Sequence, residues 1–120
     1  MTVIAGIGCR RGCPADDIVS VIRAAGRAVD VLAAPAFKAR EAGLHAAAVA
    51  LGVKLVFVAA PDLAAAQSRC VTFSSRAAGA TGVASVAEGS ALAAAGPAGR
   101  LLQPRIAGAR ATCALAESGP

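Results

Sequence analysis

The most informative part of the sequence is one stretch near its amino end, Gly6-Ile7-Gly8-Cys9-Arg10-Arg11-Gly12-Cys13-Pro14. An apolar segment precedes it and a segment with helical spacing follows it, so we predict a strand, a glycine-rich loop and the start of a helix. Such a loop exposes backbone N–H groups, and the helix end behind it carries a partial positive charge. The guanidiniums of Arg10 and Arg11 can each grip a carboxylate or phosphate with two hydrogen bonds. The stretch therefore predicts an anion-binding loop, with a tight turn whose arginines point into water as the alternative.

The composition is that of one small aliphatic domain with a basic balance. The chain has 120 residues, and we predict a single domain over 1–120 with loose residues at 117–120. It is 57% hydrophobic without Trp or Tyr, and its formal net charge of +5 favours an acidic partner. Its three Phe give little for bases to stack on and its basic residues are scattered, so we predict no nucleic acid but a small polyanion.

The sequence carries no sign of a membrane or a metal. It lacks a stretch of about eighteen uncharged apolar residues, and its first residues lack the basic lead-in of a signal peptide. Its four cysteines have no C-x-x-C spacing, and the lone His45 completes no zinc pattern. We therefore expect a cytoplasmic protein with reduced thiols, no membrane contact, no metal and no cofactor.

Strand and helix patterns alternate through the first half and end in a hairpin. The predicted strands are 2–8, 28–34, 53–59, 100–106 and 110–116, and the predicted helices are 14–25, 37–51, 61–67 and 85–95. Residues 69–73 are a short strand or an extended loop, Ser74 and Ser75 cap a helical turn, and Gly79 and Gly82 mark a loop. The fold class is α/β, one three-layer domain whose mixed sheet has helices on both faces, a parallel first half and a C-terminal hairpin. Ligands of such sheets bind at the carboxyl ends of the strands, where the first loop lies.

Two other groups of polar residues are candidates for chemistry. Lys38, Glu41 and His45 fall along one face of the predicted second helix, where a solvated ion pair beside an ordinary histidine is the alternative. Ser85 and Glu88 have the spacing of a capping box at the start of a helix. Glu88 or Glu41 could also act as a general base, with Lys38 as its electrostatic partner.

Two other motifs compete with the anion-binding loop as interpretations of the sequence. The glycines have the spacing G-x-G-x-x-x-G, and the second predicted strand ends in Ala33-Ala34-Pro35 without an acid for a ribose, which argues against a dinucleotide site. No G-x-S-x-G elbow surrounds Ser74 or Ser75, which argues against serine hydrolysis. A nucleotide- or other small-anion-binding domain stays as an alternative.

The opening run, residues 6–12, resembles the first motif of the CobE family, which is also the C-terminal domain of CbiG proteins. Lys38 and Glu41 are similar to the K-x-x-E of that family, and residues 82–92 resemble its G-x-x-S-V-x-E-x-x-A-L segment. Residues 101–114 resemble its closing strand pair. Two positions depart from the pattern, because Cys13 stands where Ser or Thr is expected and Arg105 where Lys is frequent.

The resemblance implies a role in cobalamin biosynthesis, with a polycarboxylate corrin or precorrin intermediate as partner and other enzymes of the pathway as further partners. It implies substrate binding by one group of residues, Gly8, Cys9, Arg10, Arg11, Gly12, Glu41 and Ser85. Glu88 and Lys38 become the catalytic candidates if the ring is modified. Full-length CbiG-like proteins open a precorrin lactone, so a hydrolase of that type is an alternative, and a structural partner of a pathway enzyme is another.

Overall fold

The computed structural model describes residues 1–72 and 85–119, and the features predicted at Ser74, Ser75, Gly79 and Gly82 lie outside them. Its strands are β1 Val3–Cys9, β2 Val31–Pro35, β3 Lys54–Val58, β4 Arg100–Ala107 and β5 Ala111–Glu117. The α-helices within the described ranges are α1 Ala15–Ala24, α2 Ala42–Leu51, α3 Ala60–Ala66 and α4 Val86–Ala95. Short 3-10 turns occupy Ala36–Lys38 and Gln67–Arg69. None of these helices has the length and apolar character needed to cross a bilayer.

The strands form one mixed sheet in the order β3-β2-β1-β5-β4. β1 pairs in parallel with β2, and β2 with β3, as the alternation of strands and helices predicts. β5 pairs antiparallel with both β1 and β4 and closes the sheet with the predicted hairpin. The carboxyl ends of β1, β2, β3 and β4 therefore lie along one edge of the sheet, which we call the carboxyl edge.

Alternate residues of the strands face two separate cores. One core lies under α1 and α2 and contains Ile7, Ile18, Leu32, Leu44 and Leu115. The other lies under α3 and α4 and contains the apolar residues Ile4, Val58, Leu63, Ala91 and Leu92. A sheet covered on both faces explains why its inner strands are continuous apolar runs rather than alternating ones. The α/β three-layer prediction is confirmed.

The second strand begins three residues later than its pattern predicts, and Asp30 explains the difference. The Asp30 N–H donates to the carbonyl of Val3 at 2.8 Å, and the Asp30 carboxylate accepts the Val3 N–H at 2.9 Å. These two hydrogen bonds hold residue 30 outside the parallel ladder, so the pairing of β2 with β1 starts at Val31. The strand also continues through Pro35, since Pro35 still pairs with Val58 of β3.

The second helix begins at Ala42 rather than at residue 37, which is a correction to the sequence pattern. Lys38 ends a 3-10 turn, and Glu41 has an extended backbone just before the helix. A tertiary contact accompanies the later start. A Cβ atom at Gly43 would lie 2.1 Å from the carbonyl oxygen of Cys13, so the first turn of α2 packs directly on the loop after β1.

Residues 117 and 118, which the sequence predicts to be loose, are hydrogen-bonded to other segments of the chain. β5 extends to Glu117, whose side chain is buried and paired with Arg100 of β4. The Ser118 N–H then donates to the carbonyl of Thr2 at 2.9 Å, and the Ser118 hydroxyl accepts the Thr2 N–H at 3.0 Å. These bonds fasten residues 117 and 118 to the start of β1.

Candidate functional site

The candidate site lies at the carboxyl edge, where the loop of residues 10–14 meets the connection between β2 and α2. Parallel strands place the connections that follow them at the same end of a sheet. The loop begins as a tight turn, with the Cys13 N–H donating to the Arg10 carbonyl at 3.1 Å and Gly12 at a φ of 74°. That positive φ is the conformational reason for glycine at position 12.

The other two glycines of the motif make room for neighbouring elements rather than for a ligand. A Cβ atom at Gly6 would lie 2.0 Å from the Ala87 carbonyl oxygen, so α4 packs directly on the backbone of β1. A Cβ atom at Gly8 would lie 2.6 Å from Oγ1 of Thr112 on β5. The glycine spacing therefore reflects close packing at two positions and loop geometry at only one.

Arg10 and Arg11 are exposed, and their guanidiniums have no hydrogen bond or ion pair among the described residues. Nearby, Nε of Arg110 donates to Oδ2 of Asp17 at 2.8 Å, and the Arg110 carbonyl accepts the Arg10 N–H at 3.1 Å. Asp17 belongs to the first turn of α1, where a carboxylate competes with an external anion. Its pairing with Arg110 offsets part of that negative charge.

The Gly12 N–H already has an internal anionic partner. It donates to Oε2 of Glu41 at 3.0 Å, so Glu41 bridges the loop and the start of α2 instead of pairing with Lys38 along a helix. Beside this contact is an open hollow of about 300 Å³ between the first turns of α1 and α2. Its lining includes Gly12, Cys13, Glu41 and Gly43 but neither arginine of the loop.

Cys9 and Lys38 lie together where β1 and β2 end. Burial raises the pKa of the half-buried Cys9 thiol to about 11, and the Lys38 ammonium opposes that rise. The thiol is therefore protonated at neutral pH and is a weak nucleophile. All four cysteines are free thiols, and burial raises the pKa of each one.

Ser85 caps α4, as the sequence predicts, but the capping box is only half formed. The Ser85 hydroxyl accepts the Glu88 N–H at 3.2 Å. The reciprocal bond is replaced, because the Ser85 N–H donates to Oε1 of Gln67 at 3.0 Å. Gln67 stands in the 3-10 turn that follows α3, and its amide joins the ends of the two helices on this face.

Glu88 is completely buried and holds three segments of the chain together. Its carboxylate accepts N–H groups from Val71 at 2.8 Å, Thr72 at 2.9 Å and Arg105 at 2.9 Å. Burial alone would raise the pKa of Glu88, but hydrogen bonds from the Thr72 hydroxyl and the three N–H groups outweigh it and lower the pKa. A buried, ionised carboxylate with this many donors is a structural anchor and a poor acceptor for a substrate proton.

The structure thus divides the predicted site residues into two groups. Gly8, Cys9, Arg10, Arg11, Gly12, Lys38 and Glu41 gather at the carboxyl ends of β1 and β2. Ser85 and Glu88 lie on the opposite face of the sheet, at the start of α4. Val86, which follows Ser85, comes within 3.8 Å of the position that a Gly8 Cβ atom would occupy.

Sequence reasoning missed Gln67, Arg105 and Arg110 as parts of this region. Their partners are 18, 17 and 93 positions away in the chain, so no local pattern reports them. For Arg105 one signal was available, since Pro104 predicts an interruption of the ladder. Among the described residues, no three metal-ligating side chains come together.

Comparison with known proteins identifies the family to which this chain is similar. The family model described as the cobalamin synthesis G C-terminus matches residues 3–116. The chain is 36% identical to CobE, a protein from the cobalamin (vitamin B12) biosynthetic pathway, whose crystal structure superposes with a TM-score of 0.84 over 96% of this chain and 89% of that one.

A second solved structure is that of the cobalamin biosynthesis protein chiG from Agrobacterium tumefaciens strain C58. It is 42% identical, with a TM-score of 0.80 over 99% of this chain and all (100%) of that one. A search of curated protein sequences finds no match. The family model covers almost the whole of the chain, and the protein therefore belongs to the cobalamin synthesis G C-terminus family of cobalamin biosynthesis proteins.

Proposed function

We propose that this protein binds a polycarboxylate corrin-ring intermediate of cobalamin biosynthesis at the carboxyl edge of its sheet. The family supplies the pathway, and the charge distribution supports the kind of ligand. Corrin precursors carry a rim of acetate and propionate groups, which is a small polyanion. A basic chain with few aromatic side chains suits such a ligand better than it suits a nucleic acid.

The observation that carries the proposal is the placement of two unpaired arginines side by side on the turn that follows β1. Arg69, Arg100 and Arg110 each have partners within the protein, namely carbonyl groups or a carboxylate. Arg10 and Arg11 are adjacent and exposed, and they have no such partner among the described residues. Two unpaired guanidiniums on one turn can take two ligand carboxylates, each contact contributing about 1.5–3 kcal/mol.

The shape of the edge suggests how such a ligand lies. A hollow of about 300 Å³ is at the lower end of ligand-pocket volumes, so the ring must lie across the open edge rather than inside the protein. Phe37, which is 58% exposed beside Lys38, offers an apolar face to the ring. Lys38 adds a further cation, and Gly8 and Cys9 complete the proposed contact residues. Ser85 is not among them, because it is buried on the opposite face of the sheet, and the Glu41 carboxylate is bonded to the Gly12 N–H.

The proposal is for binding, because the carboxylate that the sequence favours for proton transfer is already occupied. Glu88 has its donors in place and no exposed surface. Glu88 therefore has a structural role in the proposal, whereas Lys38 lies at the carboxyl edge and contacts the ligand. A carrier of this kind would pass its ring to other enzymes of the pathway in the cytoplasm, and we propose those enzymes as partners.

The test is to produce the protein together with the early enzymes of corrin synthesis and to measure the coloured pigment that purifies with it. The wild type should retain a corrinoid, identified by absorbance and mass. The double variant Arg10→Ala/Arg11→Ala should lose at least tenfold in affinity, since each contact is worth roughly a factor of ten or more.

The matched control is Arg23→Ala/Arg27→Ala. Both arginines are exposed, and they lie at and beyond the other end of α1, so this variant loses the same charge away from the site. It should retain its pigment, and binding by the wild type should weaken as salt is raised. If the loop variant holds as much pigment as the control, the loop is not the binding site.

A further inference from the structure

The starting observation is an irregularity in β4 next to Glu88. Gln103 pairs with Leu115 and Ile106 pairs with Cys113, so Pro104 and the residue after it oppose a single residue of β5. This is a β-bulge, which bends a strand and re-aims its side chains. The bulge opposes Ala114 of β5, which pairs with Gly6 at the middle of β1, and the carboxyl end of β4 follows two residues later at Ala107.

Glu88 is what holds this bulge in place. Pro104 has no N–H to donate, and the Arg105 N–H leaves the strand ladder to donate to Oε2 of Glu88 at 2.9 Å. The other oxygen, Oε1, accepts the N–H groups of Val71 and Thr72. A buried carboxylate with its donors in place is costly to disturb, so the geometry at position 105 is fixed from α4 rather than from β5.

The side chain of Arg105 is the polar group at this bulge that has no partner in the part of the chain that the structure describes. The residue is half-buried, and its guanidinium has no hydrogen bond or ion pair among the described residues. Arginine buries its aliphatic stem and keeps its charged end available. The backbone of Arg105 lies two residues before the carboxyl end of β4, and an unpaired guanidinium has the same chemistry as those of Arg10 and Arg11.

We infer that Glu88 is a positioning residue that sets Arg105 as a further contact for a carboxylate group of the ligand. The inference rests on the proposed function, since it names Arg105 as part of the same binding surface. Glu88 itself touches no ligand in this scheme. It acts through the Arg105 backbone, and its removal should matter for binding only while Arg105 is present.

The first experiment needs no ligand and measures amide hydrogen exchange by NMR. The amides of Val71, Thr72 and Arg105 should be protected in the wild type. Glu88→Gln replaces one carboxylate oxygen with an NH2 group that cannot accept, so the amides bonded to that oxygen, either Val71 and Thr72 or Arg105, should exchange at least tenfold faster. The matched control Glu117→Gln removes a buried carboxylate at the other end of β4 and should leave these amides protected. Unprotected amides in the wild type would overturn the inference. If Glu88→Gln fails to fold, Glu88→Asp retains the charge with a shorter reach and should give an intermediate exchange rate.

The second experiment titrates the protein with uroporphyrin, an octacarboxylate porphyrin, and follows its fluorescence. Arg105→Ala and Glu88→Gln should each weaken binding about tenfold, and the double variant should be no weaker than Arg105→Ala alone. Glu117→Gln should bind like the wild type. Additive losses, or wild-type affinity in either single variant, would overturn the positioning role.

The two experiments also separate this inference from the proposed function. A wild type that binds neither uroporphyrin nor a corrinoid would overturn the proposed function, and with it the ligand contact assigned to Arg105. Binding that is lost in Arg10→Ala/Arg11→Ala but unchanged in Arg105→Ala would keep the function and overturn only the inference.

Discussion

The backbone N–H of Gly12 donates a hydrogen bond to Oε2 of Glu41 at 3.0 Å, so the amide in the middle of the arginine turn already has a carboxylate partner. The turn therefore contains a small internal example of the contact that an anionic ligand would make. It also means that Glu41 brings a negative charge next to Arg10 and Arg11, which reduces their attraction for a polyanion.

This relationship predicts the effect of Glu41→Gln. The Gln oxygen can still accept the Gly12 N–H, but the negative charge is gone, so affinity for uroporphyrin should rise about threefold. Asp62→Asn is the control, since it removes an exposed carboxylate at the start of α3 and should change affinity less. A weaker complex in Glu41→Gln would show instead that the carboxylate itself contacts the ligand.

Glu88 predicts how stability depends on pH. Its pKa is lower in the folded protein than the ordinary value of 4.5, because the bonds from Thr72, Arg105 and Val71 favour the ionised form over the effect of burial. The stabilisation is therefore complete above pH 4.5 and is lost as the pH falls through the folded pKa. Urea unfolding at a series of pH values should show a shallower acid-side loss in Glu88→Gln than in the wild type. Gly12→Ala, which is destabilised without losing a carboxylate, should keep the wild-type slope.

Two glycines of the first motif, Gly6 and Gly12, predict unequal costs of substitution. Gly6→Ala places a Cβ atom 2.0 Å from the carbonyl oxygen of Ala87, so β1 and α4 must separate, and we expect a loss of about 3 kcal/mol or more. Gly12→Ala meets no atom within 4 Å and costs only the strain of a positive φ, about 1–2 kcal/mol. Urea unfolding at 25 °C measures both, and equal losses would contradict this assignment.

The thiol of Cys9 predicts slow alkylation. A pKa of about 11 instead of 9.0 lowers the thiolate fraction about a hundredfold, and the greater nucleophilicity of a more basic thiolate recovers about tenfold. The reaction of Cys9 with iodoacetamide at pH 8, followed by peptide mass spectrometry, should be about tenfold slower than that of an unstructured cysteine.

Lys38→Ala should slow the Cys9 reaction further, because the ammonium is the group that opposes the rise in pKa. Lys54→Ala removes an exposed lysine at the start of β3, at the other end of the parallel strands, and should leave the rate unchanged. A faster reaction in Lys38→Ala would mean that the lysine shields the thiol rather than stabilising the thiolate.

Local signals predicted those parts of the fold that depend on neighbouring residues. The strand before the arginine turn, the helix after Pro14 and the cap at Ser85 follow from apolar spacing and start signals. The start of α2 did not follow, because a separate 3-10 turn occupies 36–38 and the first turn of the helix packs on the Cys13 carbonyl, which is distant in the sequence. Glu88 was recognised as important, but its partners at Val71, Thr72 and Arg105 come from outside its own helix, so its structural role could be found only from coordinates.

The irregular course of β4 has a consequence for association between molecules. β4 is an outer strand of the sheet, and its pairing shifts register between Leu101 and Gln103 and again between Gln103 and Ile106. With Pro104 contributing no N–H, its outward side lacks the regular row of donors and acceptors that a strand from another copy would need. An irregular edge strand is a poor partner for a strand from another copy, so we expect this edge of the sheet to resist edge-to-edge association.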